Sequence, residues 1–249
     1  MNIRGVLFDK DGTLIDFNSI WIPITYDFID EALKLCGVID GHSAIRNELL
    51  EALGISRESI DPDGIAARGT MDDVNKVFAD VLIKNGVKYY PSKDVYKKTV
   101  DLMKQLMIKH SKNIKAVGNL HKLLENLRKK GVYTGIATAD IIDSAKYCMQ
   151  SLGILNYFDF IGGEDGIIKS KPHPDLMYAF CEKCGLEPGE VAVIGDTASD
   201  MMFAKNSGAG LAVGVLCGVG SRKNLEKLAD IICPSTPDIL LENGRFIWE

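Results

Sequence analysis

The chain has 249 residues, of which 46% are hydrophobic and 25% are charged, and its formal net charge is −5. This balance is typical of a globular protein, and the length suffices for a hydrophobic core and even for two modest domains. The net negative charge, together with the lack of any apolar run near the roughly 20 residues that cross a bilayer, predicts a cytoplasmic protein that binds neither nucleic acid nor membrane.

Short apolar strands alternate with amphipathic helices in two parts of the chain. Residues 3–8 predict a first buried strand, and the pattern resumes near residue 114 with a helix that begins after Asn119 and ends before Gly131. Further strands are predicted at residues 132–138, 157–161, 191–195, 210–215 and 229–232, with helices between them. Strands that are apolar on both faces and alternate with helices predict an α/β fold with a Rossmann-like parallel sheet.

Residues 17–112 have a different pattern, with few strand-like runs. Ile24, Phe28, Ala32 and Leu35 recur at helical spacing, and a further helix is expected over residues 97–108. Because this block follows directly on the first strand, it predicts a helical cap inserted into a catalytic core made of residues 1–16 and 113–249.

Acids and a hydroxyl group stand where three of the predicted strands end. Asp9 and Asp11 follow the first strand, Thr138 ends the second, and Asp196 follows the strand at 191–195, with Asp200 four residues further on. Ligands of parallel α/β sheets bind outside the carboxyl ends of the strands. We therefore expect these side chains to line one site.

The residue types at this edge favour phosphate chemistry. Asp9, Asp11 and Asp196 would repel one another when partly desolvated, and a hard divalent cation such as Mg²⁺ relieves that repulsion through oxygen ligands. Lys171, which lies in a loop after the strand at 157–161, can neutralise phosphate charge, and Thr138 can donate its hydroxyl to a phosphoryl oxygen. Taken alone, Asp196, Asp200 or Lys171 is more often a helix cap or a solvated surface charge, and Thr138 alone is a weak signal. The segment from Asp9 to Thr13 is the exception, because two acids and a glycine directly follow an apolar strand, and the joint occurrence of all these residues favours a site.

The sequence resembles the haloacid dehalogenase superfamily, and within it the phosphatases similar to phosphoglycolate phosphatase. The resemblance extends from Asp9 to Gly208 and rests on four motifs: Asp9-Lys10-Asp11-Gly12-Thr13, Thr138, Lys171-Pro172-His173-Pro174, and Gly195-Asp196 through Asp200. It implies a Rossmann-like core with a mobile helical cap, and an enzyme that hydrolyses phosphoric monoesters.

The resemblance also implies roles for the acids. Asp9 would attack phosphorus and form an aspartyl-phosphate, while Asp11 would protonate the leaving oxygen and later activate water. Mg²⁺ would be held by Asp9, the backbone carbonyl of Asp11 and Asp196, with Asp200 bound directly or through water.

The phosphoryl group would be oriented by Thr138, the backbone of Ala139 and Lys171. Members of the family often have Asn after the strand-end Ser or Thr, whereas this chain has Ala139 and then Asp140, which we expect to be the N-cap of the next helix. Arg68, in a glycine-flanked loop of the cap, is a candidate contact for a substrate anion, with a solvated surface position as the alternative.

Two other functions stay open at this stage. A phosphomutase would use the same Asp9 and Asp11, and a non-catalytic regulatory domain could keep the same fold. A dehalogenase or a phosphonate-cleaving enzyme of this superfamily would lack the acid at position 11. We expect a small phosphorylated metabolite as substrate, but the sequence specifies neither which one nor the oligomeric state.

Overall fold

The chain divides into an α/β unit and a helical unit. A computed structural model describes residues 2–38, 42–55, 60–61, 64–87, 92–164 and 167–249. The α/β unit comprises Met1–Phe17 and Ile114–Glu249, and the helical unit comprises Asn18–Asn113. Within the described ranges, no helix has the length and apolar character needed to cross a membrane.

The α/β unit is built on one parallel sheet. Its strands are β1 (Gly5–Phe8), β2 (Tyr133–Ile141), β3 (Phe160–Glu164), β4 (Val191–Gly195), β5 (Leu211–Val215) and β6 (Ile231–Cys233). Their order across the sheet is β3-β2-β1-β4-β5-β6, and every neighbouring pair is parallel. This is the strand order of a Rossmann fold, whose ligands bind where the order reverses, here between β1 and β4. The predicted fold class is confirmed.

Among the described residues, the helical unit contains the first five α-helices, apart from the first residue of α1. They are α1 (Phe17–Leu35), α2 (His42–Ala52), α3 (Ile65–Arg68), α4 (Met71–Lys84) and α5 (Lys93–Lys109). α4 begins with a capping box in which Thr70 and Asp73 satisfy each other's backbone N–H groups. The rings of Phe28 and Phe78 pack edge to face at 5.5 Å, so the apolar faces of α1 and α4 meet in a core of this unit's own.

The remaining helices belong to the α/β unit. They are α6 (Leu120–Lys129), α7 (Ile142–Ser151), α8 (Asp175–Cys184), α9 (Ala198–Ser207) and α10 (Arg222–Leu225). Phe180 of α8 and Phe203 of α9 are fully buried in one core cluster with Leu7 of β1 and Val193 of β4. This apolar packing holds β1 and β4 rigidly, and their carboxyl ends carry the acidic residues.

Two sequence predictions are wrong in this unit. β3 begins at Phe160 rather than at residue 157, because Leu155–Tyr157 form a 3-10 turn. β2 continues to Ile141, and the N-cap of α7 is Ile141 rather than Asp140. The physical reason is that the Asp140 carboxylate contacts the buried ammonium group of Lys10.

Candidate active site

Asp9 lies at the switch point of the sheet. It directly follows β1, and its backbone N–H donates to the carbonyl of Ile194 in β4 at 2.8 Å. Burial raises the pKa of Asp9 to about 7; the Lys171 ammonium opposes this rise, and the Asp200 and Asp11 carboxylates add to it. The ionised form of Asp9 therefore depends on a positive charge beside it.

Lys171 supplies one such charge. Its Nζ donates to Asp9 Oδ1 at 2.6 Å and to Asp200 Oδ1 at 2.5 Å, and only 6% of its side chain is exposed. Burial lowers the pKa of Lys171, but the carboxylates of Asp200 and Asp9 outweigh it and the pKa is raised, so the ammonium stays charged. Asn206 of α9 donates to the carbonyl of Pro172 at 2.9 Å and fixes the loop that carries Lys171.

Asp196 completes the acidic group. It is fully buried after β4 and accepts hydrogen bonds from the Thr13 hydroxyl at 3.1 Å and the Val219 N–H at 2.9 Å. Burial, with the charges of Asp9 and Asp200, raises its pKa well above the usual range. One carboxylate oxygen from each of Asp9, Asp196 and Asp200 lies within 4.8 Å of the others. Lys171 and these three aspartates are called the Lys171 cluster below.

Asp200 serves two purposes in this cluster. Its Oδ2 accepts from the Thr197 N–H at 3.0 Å and from the Thr197 hydroxyl at 2.6 Å, which completes the capping box of α9. Its Oδ1 faces Lys171. One oxygen of Asp200 therefore belongs to the helix cap and the other contacts Lys171, while its role as a metal ligand stays a prediction.

Gly12 allows the first motif to turn towards Asp196. Its φ is +84°, a left-handed conformation that side chains rarely adopt, and a Cβ here would lie 2.6 Å from Asp196 Oδ2. Any larger residue would clash with a carboxylate of the Lys171 cluster.

Thr138 is buried in β2, two residues beyond Ile136, which pairs with Phe8 of β1. This register puts it at the same carboxyl edge as Asp9. Its Oγ1 accepts the Asp140 N–H at 3.1 Å, so its own hydroxyl hydrogen can be donated to a ligand. Ala139 is partly exposed at the same edge.

The sequence analysis missed a second charged cluster, which is centred on Lys10, the residue after Asp9. Lys10, although fully buried, donates from Nζ to Asp11 Oδ1 at 2.7 Å and lies 3.1 Å from Asp140 Oδ2. Burial lowers its pKa, but the carboxylates of Asp11 and Asp140 outweigh that effect and raise it. Lys10, Asp11 and Asp140 are called the Lys10 cluster below. A lysine between two acids at the end of a buried strand was the available signal.

Arg68 is the last residue of α3 in the helical unit. Its side chain lies outside the described part of the chain. Its contact with a substrate stays a prediction.

Comparison with known proteins identifies the class of this α/β protein. Residues 3–208 match the family model of the haloacid dehalogenase-like hydrolases. The chain belongs to this family, and the prediction that it is a hydrolase is confirmed at the level of the family.

Individual relatives give the same class. Phosphoglycolate phosphatase of Shigella dysenteriae is 24% identical over 96% of this chain and 92% of its own length. "Probable phosphatase IndB" of Dickeya dadantii is 31% identical, but the aligned part covers only 40% of this chain and 43% of that protein.

Solved structures have the same fold. A predicted phosphoglycolate phosphatase from Haemophilus somnus has a TM-score of 0.69 at 22% identity, over 96% of this chain and 97% of that one. A β-phosphoglucomutase from Clostridium difficile has a TM-score of 0.65 at 22% identity, over 97% and 95%. The fold alone therefore does not separate phosphatases from phosphomutases.

Proposed function

We propose that the protein is a Mg²⁺-dependent phosphatase that hydrolyses a small phosphorylated metabolite through an aspartyl-phosphate on Asp9. The observation that carries this proposal is the Lys171 cluster, in which a buried aspartate at the switch point contacts a buried lysine and lies within 4.8 Å of two further carboxylates. In the proposal, these residues supply the nucleophile, the cation for the phosphoryl oxygens and the metal ligands at one edge of the sheet.

The donor set fits Mg²⁺. The Lys171 cluster holds three buried carboxylates and one ammonium group, and the pKa values of Asp9 and Asp196 are raised. Such a group has an excess of negative charge that a hard divalent cation compensates. Asp9, the backbone carbonyl of Asp11 and Asp196 would hold the ion, with Asp200 direct or through water. Bound there, Mg²⁺ would supply positive charge to the phosphoryl oxygens.

The residues of the chain divide the reaction into two displacements. In the first, a carboxylate oxygen of Asp9 forms a bond to phosphorus, the bond to the ester oxygen breaks, and Asp11 gives its proton to that oxygen. In the second, Asp11 takes a proton from water, the water oxygen bonds to phosphorus, and the bond to Asp9 breaks to release phosphate. Lys171 and the hydroxyl of Thr138 orient the phosphoryl group and neutralise its charge in both steps.

Substrate choice is assigned to the helical unit. It is inserted in the sequence between the first motif, which carries Asp9, and α6, which precedes the strand that carries Thr138. We expect it to act as a cap that excludes bulk water, with Arg68 as a candidate contact for a substrate anion. Phosphoglycolate is the first ester to test, because the relative that aligns over 96% of this chain is a phosphoglycolate phosphatase.

A screen of small phosphorylated metabolites tests the proposal. Phosphoglycolate, sugar phosphates and nucleotides are incubated with the full-length protein, with Mg²⁺ or with EDTA, and released phosphate is measured. We expect Mg²⁺-dependent release from at least one ester and none from the Asp9→Asn variant. No release from any ester would refute the proposal, and conversion of a sugar phosphate to its isomer without free phosphate would establish a phosphomutase instead.

A further inference from the structure

The Lys10 cluster links the first motif to the end of β2. Lys10 follows Asp9 in the chain, yet none of its side chain is exposed, and its ammonium lies between a carboxylate of its own motif and one from β2. All three residues belong to the α/β unit. The side chain of Asp11 is thus tied, through Lys10, to a second strand of the sheet.

Asp140 is a rigid anchor for this link. Its Oδ1 accepts the Ile141 N–H at 2.7 Å, and its own N–H donates to the Thr138 hydroxyl. Residues 138–140 form an irregularity in the pairing of β2 with β3, and Gly163 of β3 permits it: a Cβ at that position would lie 2.3 Å from the Asp140 carbonyl oxygen.

The remaining oxygen of Asp140 depends on Lys10. Oδ2 is buried and has no hydrogen-bond partner among the described residues, so the ion pair with the Lys10 ammonium at 3.1 Å is what offsets its loss of solvation. An uncompensated carboxylate at this depth would be strongly unfavourable. Lys10 is therefore held in place from the side of β2 and can in turn hold Asp11.

The geometry points to Lys10 as a positioning residue for Asp11, with Asp140 as its anchor. This inference rests on the proposed function, in which Asp11 exchanges protons with the leaving oxygen and with water. Lys10 Nζ donates to Asp11 Oδ1 at 2.7 Å, and in the proposed reaction the other carboxylate oxygen would carry the exchanged proton. A carboxyl group fixed before the substrate arrives loses less conformational freedom in the reaction, and a misplacement of 1 Å can lower a rate by about 100-fold.

Two kinds of ester separate positioning from a merely structural role. An alkyl phosphate needs a proton on its departing oxygen, whereas 4-nitrophenyl phosphate releases a stable phenolate and does not. The probes are 4-nitrophenyl phosphate and the alkyl phosphate that the metabolite screen ranks first. The variants are Lys10→Met, which keeps the length of the side chain without its charge, Asp140→Asn, and the double variant, which leaves no unpaired acid at position 140.

We expect kcat/KM of Lys10→Met to fall about 10- to 100-fold on the alkyl ester and about threefold or less on 4-nitrophenyl phosphate. Asp140→Asn should give the same pattern with a smaller loss. The double variant should fold, as judged by circular dichroism and its melting temperature, and still discriminate against the alkyl ester. If Lys10→Met alone does not fold, the double variant is used to test the inference.

Equal losses on the two esters, or no loss on either, would overturn the inference and leave the proposed function intact, provided that Asp9→Asn hydrolyses neither ester. A gain on the alkyl ester would overturn it as well. If the wild-type protein hydrolyses no ester, or if Asp9→Asn keeps full activity, the proposed function itself fails.

Discussion

The two clusters at the carboxyl edge of the sheet use the same chemistry in different surroundings. Each places a buried lysine between two aspartates, with Nζ–O distances of 2.5 and 2.6 Å around Lys171 and of 2.7 and 3.1 Å around Lys10. The Lys171 cluster has a third carboxylate, from Asp196, whereas the Lys10 cluster is defined by the carboxylates of Asp11 and Asp140. The Lys171 side chain keeps 6% of its surface exposed and the Lys10 side chain none.

The difference shows that a buried ion pair does not by itself indicate a ligand site. An excess of carboxylates gives the Lys171 cluster a need for further positive charge, which the proposed Mg²⁺ would supply. The Lys10 cluster is closer to balance, and its lysine is closed to solvent, so we assign it to positioning. Substitutions in the two clusters should therefore have different effects on activity and on the response to Mg²⁺.

Replacement of Asp9, the proposed nucleophile, should have the largest effect. We expect Asp9→Asn to lower kcat by about 10⁴-fold or more, because the amide cannot form the aspartyl-phosphate. A matched control is Asp230→Asn, because the Asp230 carboxylate accepts the Ala212 N–H at 2.8 Å and an amide oxygen can do the same. Phosphate release measures both variants, and comparable losses would contradict the assignment of Asp9.

Replacement of each lysine should have the second-largest effect, and it should distinguish the two clusters by their response to Mg²⁺. Lys171→Met and Lys10→Met both leave buried carboxylates without their cation, and each should lower the free energy of unfolding by about 3–5 kcal/mol in EDTA. Mg²⁺ should restore much of that loss in Lys171→Met, since the ion compensates the same carboxylates, and little of it in Lys10→Met. Denaturant unfolding of both variants, each with Mg²⁺ and with EDTA, measures the four free energies of unfolding. Equal recovery in both variants would mean that the ion does not bind at the Lys171 cluster.

The sequence predicts the Lys171 side of this comparison better than the Lys10 side. β4 occupies the predicted residues 191–195, and the rule for parallel strands brings Asp9 and Asp196 to one edge. The partner of Lys10 could not be predicted, because it lies on another strand and the irregularity in β2 decides which way Asp140 points. Propensity alone assigned Asp140 to a helix cap, since an acid before a helix is usually one.

The raised pKa of Asp9 predicts how pH affects the metal-free protein. In the folded chain the pKa is about 7, against about 3.9 for an unperturbed aspartate. Between these values the folded state binds more protons than the unfolded state, so the free energy of unfolding should fall as the pH rises through this window. Mg²⁺ competes with the proton and should therefore raise the melting temperature more at about pH 8 than at about pH 5. Calorimetry at both pH values measures this rise in melting temperature, and Asp9→Asn should make the difference between the two pH values smaller. An equal rise at both pH values would contradict the proposal that Mg²⁺ binds at Asp9.

The smallest effect should come from the cap of α9, and it tests whether Asp200 must be oriented. Thr197→Ala removes the hydroxyl that donates to Asp200 Oδ2 at 2.6 Å, and Asn119→Ala removes the matched N-cap of α6, which accepts the Lys122 N–H at 3.0 Å. Each should lower the free energy of unfolding by about 1 kcal/mol. Only Thr197→Ala should also lower kcat/KM and raise the Mg²⁺ concentration needed for half-maximal activity, because Asp200 Oδ1 contacts Lys171 and Oδ2 is held by this cap. If both variants lose stability alone, the capping box of α9 supports the helix without orienting the Lys171 cluster.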